Sequence, residues 1–192
     1  MSGGAKTAVL IDRRFDEALN LVLENCRLES LPGSSLPKIG HLLGVAALVG
    51  DDGGDADQAI AALLHDEPCR GYDTVAEIGR RFGPRVERMV VAVTDGFEPN
   101  PQRRREDRQA HLDRLADSPA ESWRVSLADA LSHARYFMAD VRNHGGLALE
   151  AADGESLLWY HRALADAFRD LAPGAMRDEY ERVVSEMESA AR

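Results

Sequence analysis

The chain has 192 residues, a length typical of one domain with a single hydrophobic core. It carries 23 basic and 33 acidic residues, and the net charge of −10 argues against duplex nucleic acid or an anionic membrane as a partner. The two cysteines, Cys26 and Cys69, lack a metal-binding spacing, and no signal peptide or long apolar run is present. These features predict a cytoplasmic protein with reduced thiols.

Helical periodicity begins soon after the amino terminus. Residues 1–12 contain few side chains that could pack, and we expect them to form a mobile leader. Apolar residues then recur at steps of three and four, which predicts a helix over about residues 13–28 and a second over about 39–49. A third helix, capped by Asp55, is predicted to end near Asp66.

Capping-box sequences indicate where two later helices begin. Thr74 is followed three residues later by a glutamate, and Ser118 likewise, with proline in between. A charged helix is predicted to run to about Leu115, and the helix after Ser118 to about Val141. No strand pattern interrupts this series. The sequence therefore predicts an all-α protein of eight or nine helices.

Two segments complete the predicted organisation. A helix over about residues 155–171 would end the main domain, which spans 13–172. A final amphipathic helix within 173–192 carries Met176, Tyr180 and Val184 at helical spacing. This helix is expected to pack on the domain or on a second subunit.

An imidazole and a carboxylate lie side by side where the third helix ends, at His65 and Asp66. Adjacent side chains on a helix point about 100° apart, so both can face one point near a helix end. A divalent metal that binds both would take a further histidine and a further carboxylate, a mixed set suited to Mn, Fe, Co or Zn. His41 and Asp129 are the candidates for these two ligands.

Asp129 lies in the largely apolar stretch 125–131. An unpaired carboxylate would be costly to bury there, so it needs a cation or strong hydrogen bonds. The alternative to a metal is structural. A lone His-Asp pair such as His65-Asp66 occurs in many chains, and a buried histidine is often a hydrogen-bonded core residue.

Three segments together give a recognisable order and spacing: GHLLGVA at 40–46, AALLHD at 61–66 and LADAL at 127–131. They resemble the HD superfamily of metal-dependent phosphohydrolases, and within it the RelA/SpoT-type alarmone hydrolase domain and its stand-alone small hydrolases. Supporting matches lie at 78–83, at 86–95 and at the aromatic pair Trp159-Tyr160. The resemblance covers about residues 15–171.

The resemblance implies a helical HD-domain bundle that holds one Mn²⁺ through His41, His65, Asp66 and Asp129. It also implies hydrolysis of the 3′-pyrophosphate of (p)ppGpp. A metal in such a site lowers the pKa of water and neutralises charge on the attacked phosphorus. The expected partner is a small nucleotide or another phosphorylated metabolite, and the chain could form a homo-oligomer.

The chain departs from this family directly after the His-Asp pair. The alarmone hydrolases have a Glu-Asp pair there that activates water, whereas this chain has Cys69 and Arg70. Glu67, beside the catalytic Asp66, could act instead as the general base, or could be a solvated acid at a helix end. Arg70 could bind a substrate phosphate, or could be an exposed loop residue.

Three more residues are candidates for substrate contact. His133 lies one helical turn after Asp129, where the family has an asparagine that faces the substrate. His133 could bind a ligand or donate a proton to a leaving group, or be a satisfied polar residue. Arg103 could contact a phosphate, although a mixed charge run is commonly a solvated helix face. Tyr160 lies in the segment that matches the family's aromatic-rich helix.

Three hypotheses follow. The first is a metal-dependent phosphohydrolase, with (p)ppGpp as the best single substrate. The second, motivated by the missing Glu-Asp pair, is a degenerate HD domain that binds metal or nucleotide without turnover. The third is an HD phosphatase of specialised metabolism with a different phosphorylated substrate.

Overall fold

The structure is a computed structural model that describes residues 11–26, 29–30, 37–67, 74–94, 101–145 and 154–191. These residues contain nine α-helices and no strand, apart from an isolated bridge between Ser30 and Pro37. The helices are α1 (Arg13–Asn25), α2 (Lys38–Asp51), α3 (Ala56–Leu64), α4 (Val75–Phe82), α5 (Pro84–Val93), α6 (Pro101–Leu115), α7 (Ala120–His144), α8 (Gly154–Leu171) and α9 (Ala175–Ala190). The prediction of an all-α protein is confirmed.

Helix α3 lies at the centre of the bundle. Every residue from Gln58 to Leu64 is buried, and the helix packs against α1, α2, α4, α5 and α7. Full burial of a leucine or isoleucine contributes about 2 kcal/mol, so Ile60, Leu63 and Leu64 fix the helix firmly. As a result, the residue that follows α3, His65, is held inside the protein with 3% of its surface exposed.

Two of the predicted helix starts have the expected caps. At α3, Asp55 accepts the backbone N–H of Gln58, and the Gln58 side chain accepts the N–H of Asp55, both at 3.1 Å. At α4, Thr74 and Glu77 form the same reciprocal pair. Each pair satisfies two backbone donors that a helix start leaves open.

The capping box predicted at Ser118 is wrong. Pro119 is the N-cap of α7, and no side chain caps this helix. The Ser118 hydroxyl donates instead to the Leu115 carbonyl at 2.6 Å and accepts the indole N–H of Trp123 at 3.1 Å. The helix begins one residue later than the sequence spacing suggested, so Ser118 closes the turn after α6.

The longest helix, α7, packs against α2, α3, α5, α8 and α9. Helix α9 buries Met176, Tyr180, Val184 and Met187 and contacts α7 and α8. Ion pairs flank this contact, from Arg135 to Glu179 and from Arg162 to Glu181 and Glu188. In this structure the C-terminal helix therefore covers α7 and α8 of its own chain.

Asp12 caps α1 by accepting the backbone N–H groups of Arg14 and Phe15. The rest of the predicted leader, residues 1–10, lies outside the described residues. In the described ranges, no helix combines the length and apolar character needed to span a membrane.

Candidate metal centre

Three side chains from three segments meet at one point inside the bundle. His41 comes from the first turn of α2, His65 from the end of α3 and Asp129 from the middle of α7. The Oδ1 atom of Asp129 lies 3.0 Å from Nε2 of His41 and 3.3 Å from Nε2 of His65. Their ligand atoms all lie within 4.8 Å of one another. Packing of α2 and α7 on α3 thus brings together three of the predicted ligands.

Hydrogen bonds behind the two histidines orient their rings. Nδ1 of His65 lies 2.9 Å from the Ala62 carbonyl, which can only accept, so this nitrogen carries a hydrogen. Nδ1 of His41 lies 2.9 Å from the Ser132 hydroxyl. When Nδ1 donates, Nε2 of a neutral ring keeps its lone pair for a metal. Both rings therefore direct a potential ligand atom at Asp129.

Within the part of the chain that the structure describes, two of the central atoms lack a hydrogen-bond partner. Nε2 of His41 and Oδ1 of Asp129 are buried, and although they are 3.0 Å apart their geometry is not that of a hydrogen bond. Buried polar atoms without partners are costly and rare in folded proteins. A cation coordinated by both atoms would remove that cost. The two imidazoles and the carboxylate therefore fit a divalent transition metal.

The ionisation of the cluster agrees with this assignment. Burial alone would lower the pKa of His65, but the charges of Asp129 and Asp66 outweigh it and raise the pKa to about 10. Burial would raise the pKa of Asp129, yet His133, His65 and His41 hold it well below its ordinary value. In the metal-free protein a proton on His65 thus supplies positive charge that a metal would replace.

Asp66, the fourth predicted ligand, adjoins this cluster. Its Oδ1 atom lies 3.7 Å from Nε2 of His65, and its Oδ2 atom lies 3.4 Å from the ammonium of Lys38. Burial would raise the pKa of Asp66, but the positive charges of His65 and Lys38 lower it. Asp66 is therefore an anion at the edge of the cluster, with one oxygen toward His65 and the other toward Lys38.

Glu67 is fully buried, so its interpretation as a solvated acid at a helix end is wrong. Its Oε2 accepts a hydrogen bond from the side-chain amide of Asn25 at 2.6 Å, and its Oε1 accepts one from the thiol of Cys26 at 3.7 Å. Burial raises the pKa of Cys26 to about 11, so the thiol keeps its proton and can donate. These bonds place the carboxylate of Glu67 against the end of α1. Its role as a general base stays a prediction.

His133 lies at the exposed edge of the cluster. Its Nε2 atom is 3.5 Å from Oδ1 of Asp129, its ring centroid is 4.2 Å from that of His41, and 44% of its side chain is exposed. His133 therefore contacts the cluster on one side and is accessible to a ligand from solvent on the other. Arg103 is exposed on α6, and Cys69 and Arg70 lie outside the described residues.

Tyr160 is buried between α6 and α8, beside Arg108 and His111, which the sequence motifs do not include. The guanidinium of Arg108 lies 5.3 Å from the Tyr160 ring and donates to Ser156 at 3.0 Å. The His111 ring meets Tyr160 edge-on at 6.2 Å, and Nδ1 of His111 is buried with no hydrogen-bond partner in the described ranges. The spacing of Arg108 and His111, three residues apart on one helix, was the available signal.

The amino-acid sequence is similar to a protein-family model and to curated proteins. A family model for the HD domain matches residues 18–153. The guanosine-3′,5′-bis(diphosphate) 3′-pyrophosphohydrolase MESH1 of Xenopus tropicalis is 35% identical over 102 residues, and that of Mus musculus is 33% identical over 102 residues. Each alignment covers 52% of this chain and 55% of the relative. The chain therefore spans about half the length of these curated relatives.

Solved structures match over a larger share of the chain. A metazoan ortholog of SpoT, which hydrolyses ppGpp and plays a role in starvation responses, superimposes with a TM-score of 0.75 at 21% identity. That match covers 93% of this chain and 98% of the other. The protein lmo0812 of Listeria monocytogenes gives a TM-score of 0.68 at 20% identity, over 78% of this chain and 99% of the other. Both likenesses show a shared fold.

Proposed function

The chain belongs to the HD-domain family, and from that premise we propose that it is a metal-dependent phosphohydrolase that removes the 3′-pyrophosphate of (p)ppGpp. The observation that carries the proposal is the buried pair of partnerless atoms, Nε2 of His41 and Oδ1 of Asp129, beside His65. Two MESH1 relatives, named as hydrolases of this nucleotide, support the choice of substrate.

His41, His65 and Asp129 would hold the ion, with Asp66 as the fourth ligand. Mn²⁺ is the proposed metal, because the donor set suits a borderline transition metal and the resemblance implies manganese. A divalent metal held there supplies Lewis acidity, which acidifies water and neutralises negative charge on a phosphate. The bonds from His65 to Ala62 and from His41 to Ser132 keep both rings in the orientation that binding requires.

Glu67 is the proposed general base. Its two oxygens accept hydrogen bonds from Asn25 and Cys26 and have further lone pairs, with which the carboxylate would accept a proton from water. His133 is better placed to touch the substrate, because its side chain is half-exposed and lies against Asp129. It would hydrogen-bond a phosphate or deliver a proton to the leaving group.

A chain of net charge −10 needs local positive charge to bind an anionic nucleotide. The surface between α6 and α8 offers it. The guanidinium of Arg105 lies 4.2 Å from the Trp159 ring, and that of Arg108 lies 5.3 Å from the Tyr160 ring. An arginine held against an aromatic face can still present its fork to a phosphate. This surface supports Tyr160 and Arg103, which is on the same helix α6, as proposed substrate contacts. Arg70, which lies outside the described residues, is a further proposed contact.

A second candidate function is binding of metal or nucleotide without turnover. The bonds that hold Glu67 against α1 favour it, as does the replacement of the family's Glu-Asp pair by Cys69 and Arg70. A phosphatase of specialised metabolism would keep the same metal ligands and hydrolyse a different phosphate ester.

One experiment separates these functions. The purified protein is analysed for metal content and incubated with Mn²⁺ and ppGpp, NADPH, a panel of nucleotides and other phosphate esters. The proposal expects Mn²⁺-dependent release of pyrophosphate from ppGpp, lost in His65→Ala and Asp66→Ala. His144→Ala, which alters an exposed histidine at the end of α7, should keep full activity.

Four outcomes would contradict the proposal. Turnover without metal, or full activity in both ligand variants, would refute the mechanism. A nucleotide that raises the melting temperature but stays intact after prolonged incubation with Mn²⁺ would favour the binder. Product from a non-alarmone ester alone would favour the third hypothesis. A cytoplasmic location and a homo-oligomer stay predictions, and light scattering after size-exclusion chromatography tests the latter.

A further inference from the structure

Lys38 is a fully buried cation beside the candidate metal centre. None of its side chain is exposed, and its ammonium lies 3.4 Å from Oδ2 of Asp66 and 3.5 Å from Oε2 of Glu29. Lysine is almost never fully buried unless it is paired, because the ammonium loses its hydration. Its burial in this chain therefore depends on the two carboxylates beside it.

The backbone helps to fix this arrangement. Lys38 is the first residue of α2, and its backbone N–H donates to the carbonyl of Glu29 at 3.0 Å. The bridge between Ser30 and Pro37 joins the same two segments. The backbone of Lys38 is thus bonded to the segment of Glu29, while its side chain reaches Asp66. On the same helix, His41 follows Lys38 by three residues.

The two oxygens of Asp66 have different surroundings. Oδ2 faces the ammonium of Lys38, whereas Oδ1 lies on the side of the metal centre, 3.7 Å from Nε2 of His65. We propose that Lys38 is a positioning residue of the metal centre, which holds Oδ2 of Asp66 so that Oδ1 is the single oxygen presented to the metal. The inference rests on the metal centre proposed above.

Charge and position predict opposite effects when Lys38 is removed. Through charge alone, loss of a cation near the site would tighten binding of a divalent metal, because like charges repel. Through position, loss of the cation would let the Asp66 carboxylate turn and would weaken binding. The sign of the change in the Kd for Mn²⁺ therefore separates a positioning residue from a mere neighbouring charge.

The test is calorimetric titration of Mn²⁺ alone into unaltered protein, Lys38→Met, Lys38→Arg, Asp66→Asn and the double variant Lys38→Met with Asp66→Asn. Partners that orient metal ligands contribute roughly 10- to 100-fold to affinity, so Lys38→Met should weaken binding about 10-fold or more. Lys38→Arg should keep most of the affinity. In the Asp66→Asn background, Lys38→Met should change the Kd less than about twofold, since the two residues act through one carboxylate.

Arg124→Met is the matched control. It removes a half-buried cation from α7 that pairs with Asp52 at 2.8 Å, and it should leave the Kd for Mn²⁺ unchanged. Unchanged or tighter binding in Lys38→Met would overturn the proposal, as would an undiminished effect in the Asp66→Asn background. Absence of Mn²⁺ binding by the unaltered protein would refute the metal centre itself.

If Lys38→Met fails to fold by circular dichroism, the unaltered protein still decides the matter. A crystal structure with Mn²⁺ bound should show Asp66 on the metal through Oδ1, with Oδ2 still beside Lys38. Both oxygens of Asp66 on the metal, or neither, would overturn the proposal.

Discussion

Ser132→Ala is the sharpest test of how the metal centre is supported. Ser132 is 3% exposed, and its hydroxyl lies 2.9 Å from Nδ1 of His41. The substitution removes one oxygen from α7 and leaves the proposed ligands in place. We expect a weaker affinity for Mn²⁺ with little change in the fold.

The size of the change in Kd follows from the two tautomers of the His41 ring, which carry the hydrogen on Nε2 or on Nδ1. In the metal-free protein the ring can carry its hydrogen on Nε2, which lies 3.0 Å from the negative charge of Asp129, although the geometry is not that of a hydrogen bond. In the metal-bound protein the hydrogen must lie on Nδ1. Leaving that donor unsatisfied costs about 1–3 kcal/mol, and this cost falls mainly on the bound state. At about 1.4 kcal/mol per factor of ten, the Kd should rise roughly 5- to 150-fold.

Ser126→Ala is the matched control for this prediction. Ser126 is also a buried serine of α7, but its hydroxyl has no hydrogen-bond partner among the described residues. Isothermal titration with Mn²⁺ should therefore give an unchanged Kd for Ser126→Ala and a raised Kd for Ser132→Ala. Equal affinities in the two variants would refute the argument that the bond to Ser132 orients His41 for a metal.

Tyr180→Phe should lower the free energy of unfolding, measured by urea denaturation, by about 1–3 kcal/mol. The substitution removes the hydroxyl that lies 2.7 Å from the buried Nδ1 of His161 and leaves that nitrogen without its partner. The affinity of this variant for Mn²⁺ should not change. Asp55→Ala should cost about 1 kcal/mol through loss of the α3 cap, whereas Asp55→Asn, which can still accept the N–H, should cost less. In metal-free protein the stabilisation from protonated His65 should be complete below its ordinary pKa of 6.5 and be lost as pH rises through about 10. Denaturation measured across this range should show the loss in the unaltered protein and not in His65→Gln.

The fold and the site are most predictable from the sequence where helical spacing determines the direction of a side chain. The apolar pattern of α3 predicted a buried helix, and a buried helix delivers His65 to the interior whatever its neighbours are. Asp129 within an apolar stretch predicted a partner inside the protein, and the structure places it against His41 and His65. Spacing along α7 likewise placed His133 on the face of Asp129.

At helix ends, spacing no longer determines the direction of a side chain, so residues there are not predictable from the sequence in the same way. Glu67 follows the end of α3, so the sequence could not show that its carboxylate turns back to Asn25 and Cys26. Ser118 had the right spacing for a cap, but Pro119 took that position instead. In both places the geometry depends on packing between distant segments.

Lys38 was missed for a different reason. A lysine at the start of a helix is normally expected in solvent, and the pairing with Glu29 and Asp66 that permits its burial joins residues far apart in the sequence. Ser132 did carry a signal, since it lies three residues after Asp129 and so shares its face of α7. Polar residues at helical spacing from a proposed ligand therefore merit attention.

Helix α7 presents different residues on its two sides. One side carries Asp129 and Ser132 toward His41, and the helix is also covered by α9, with Arg135 paired to Glu179. A turn of α7 about its axis by a single residue, about 100°, would move Asp129 away from both histidines. The C-terminal helix contributes none of the proposed ligands, yet its packing on α7 helps to fix the rotation of α7 about its axis. Truncation of α9 should therefore weaken the affinity of the site for metal.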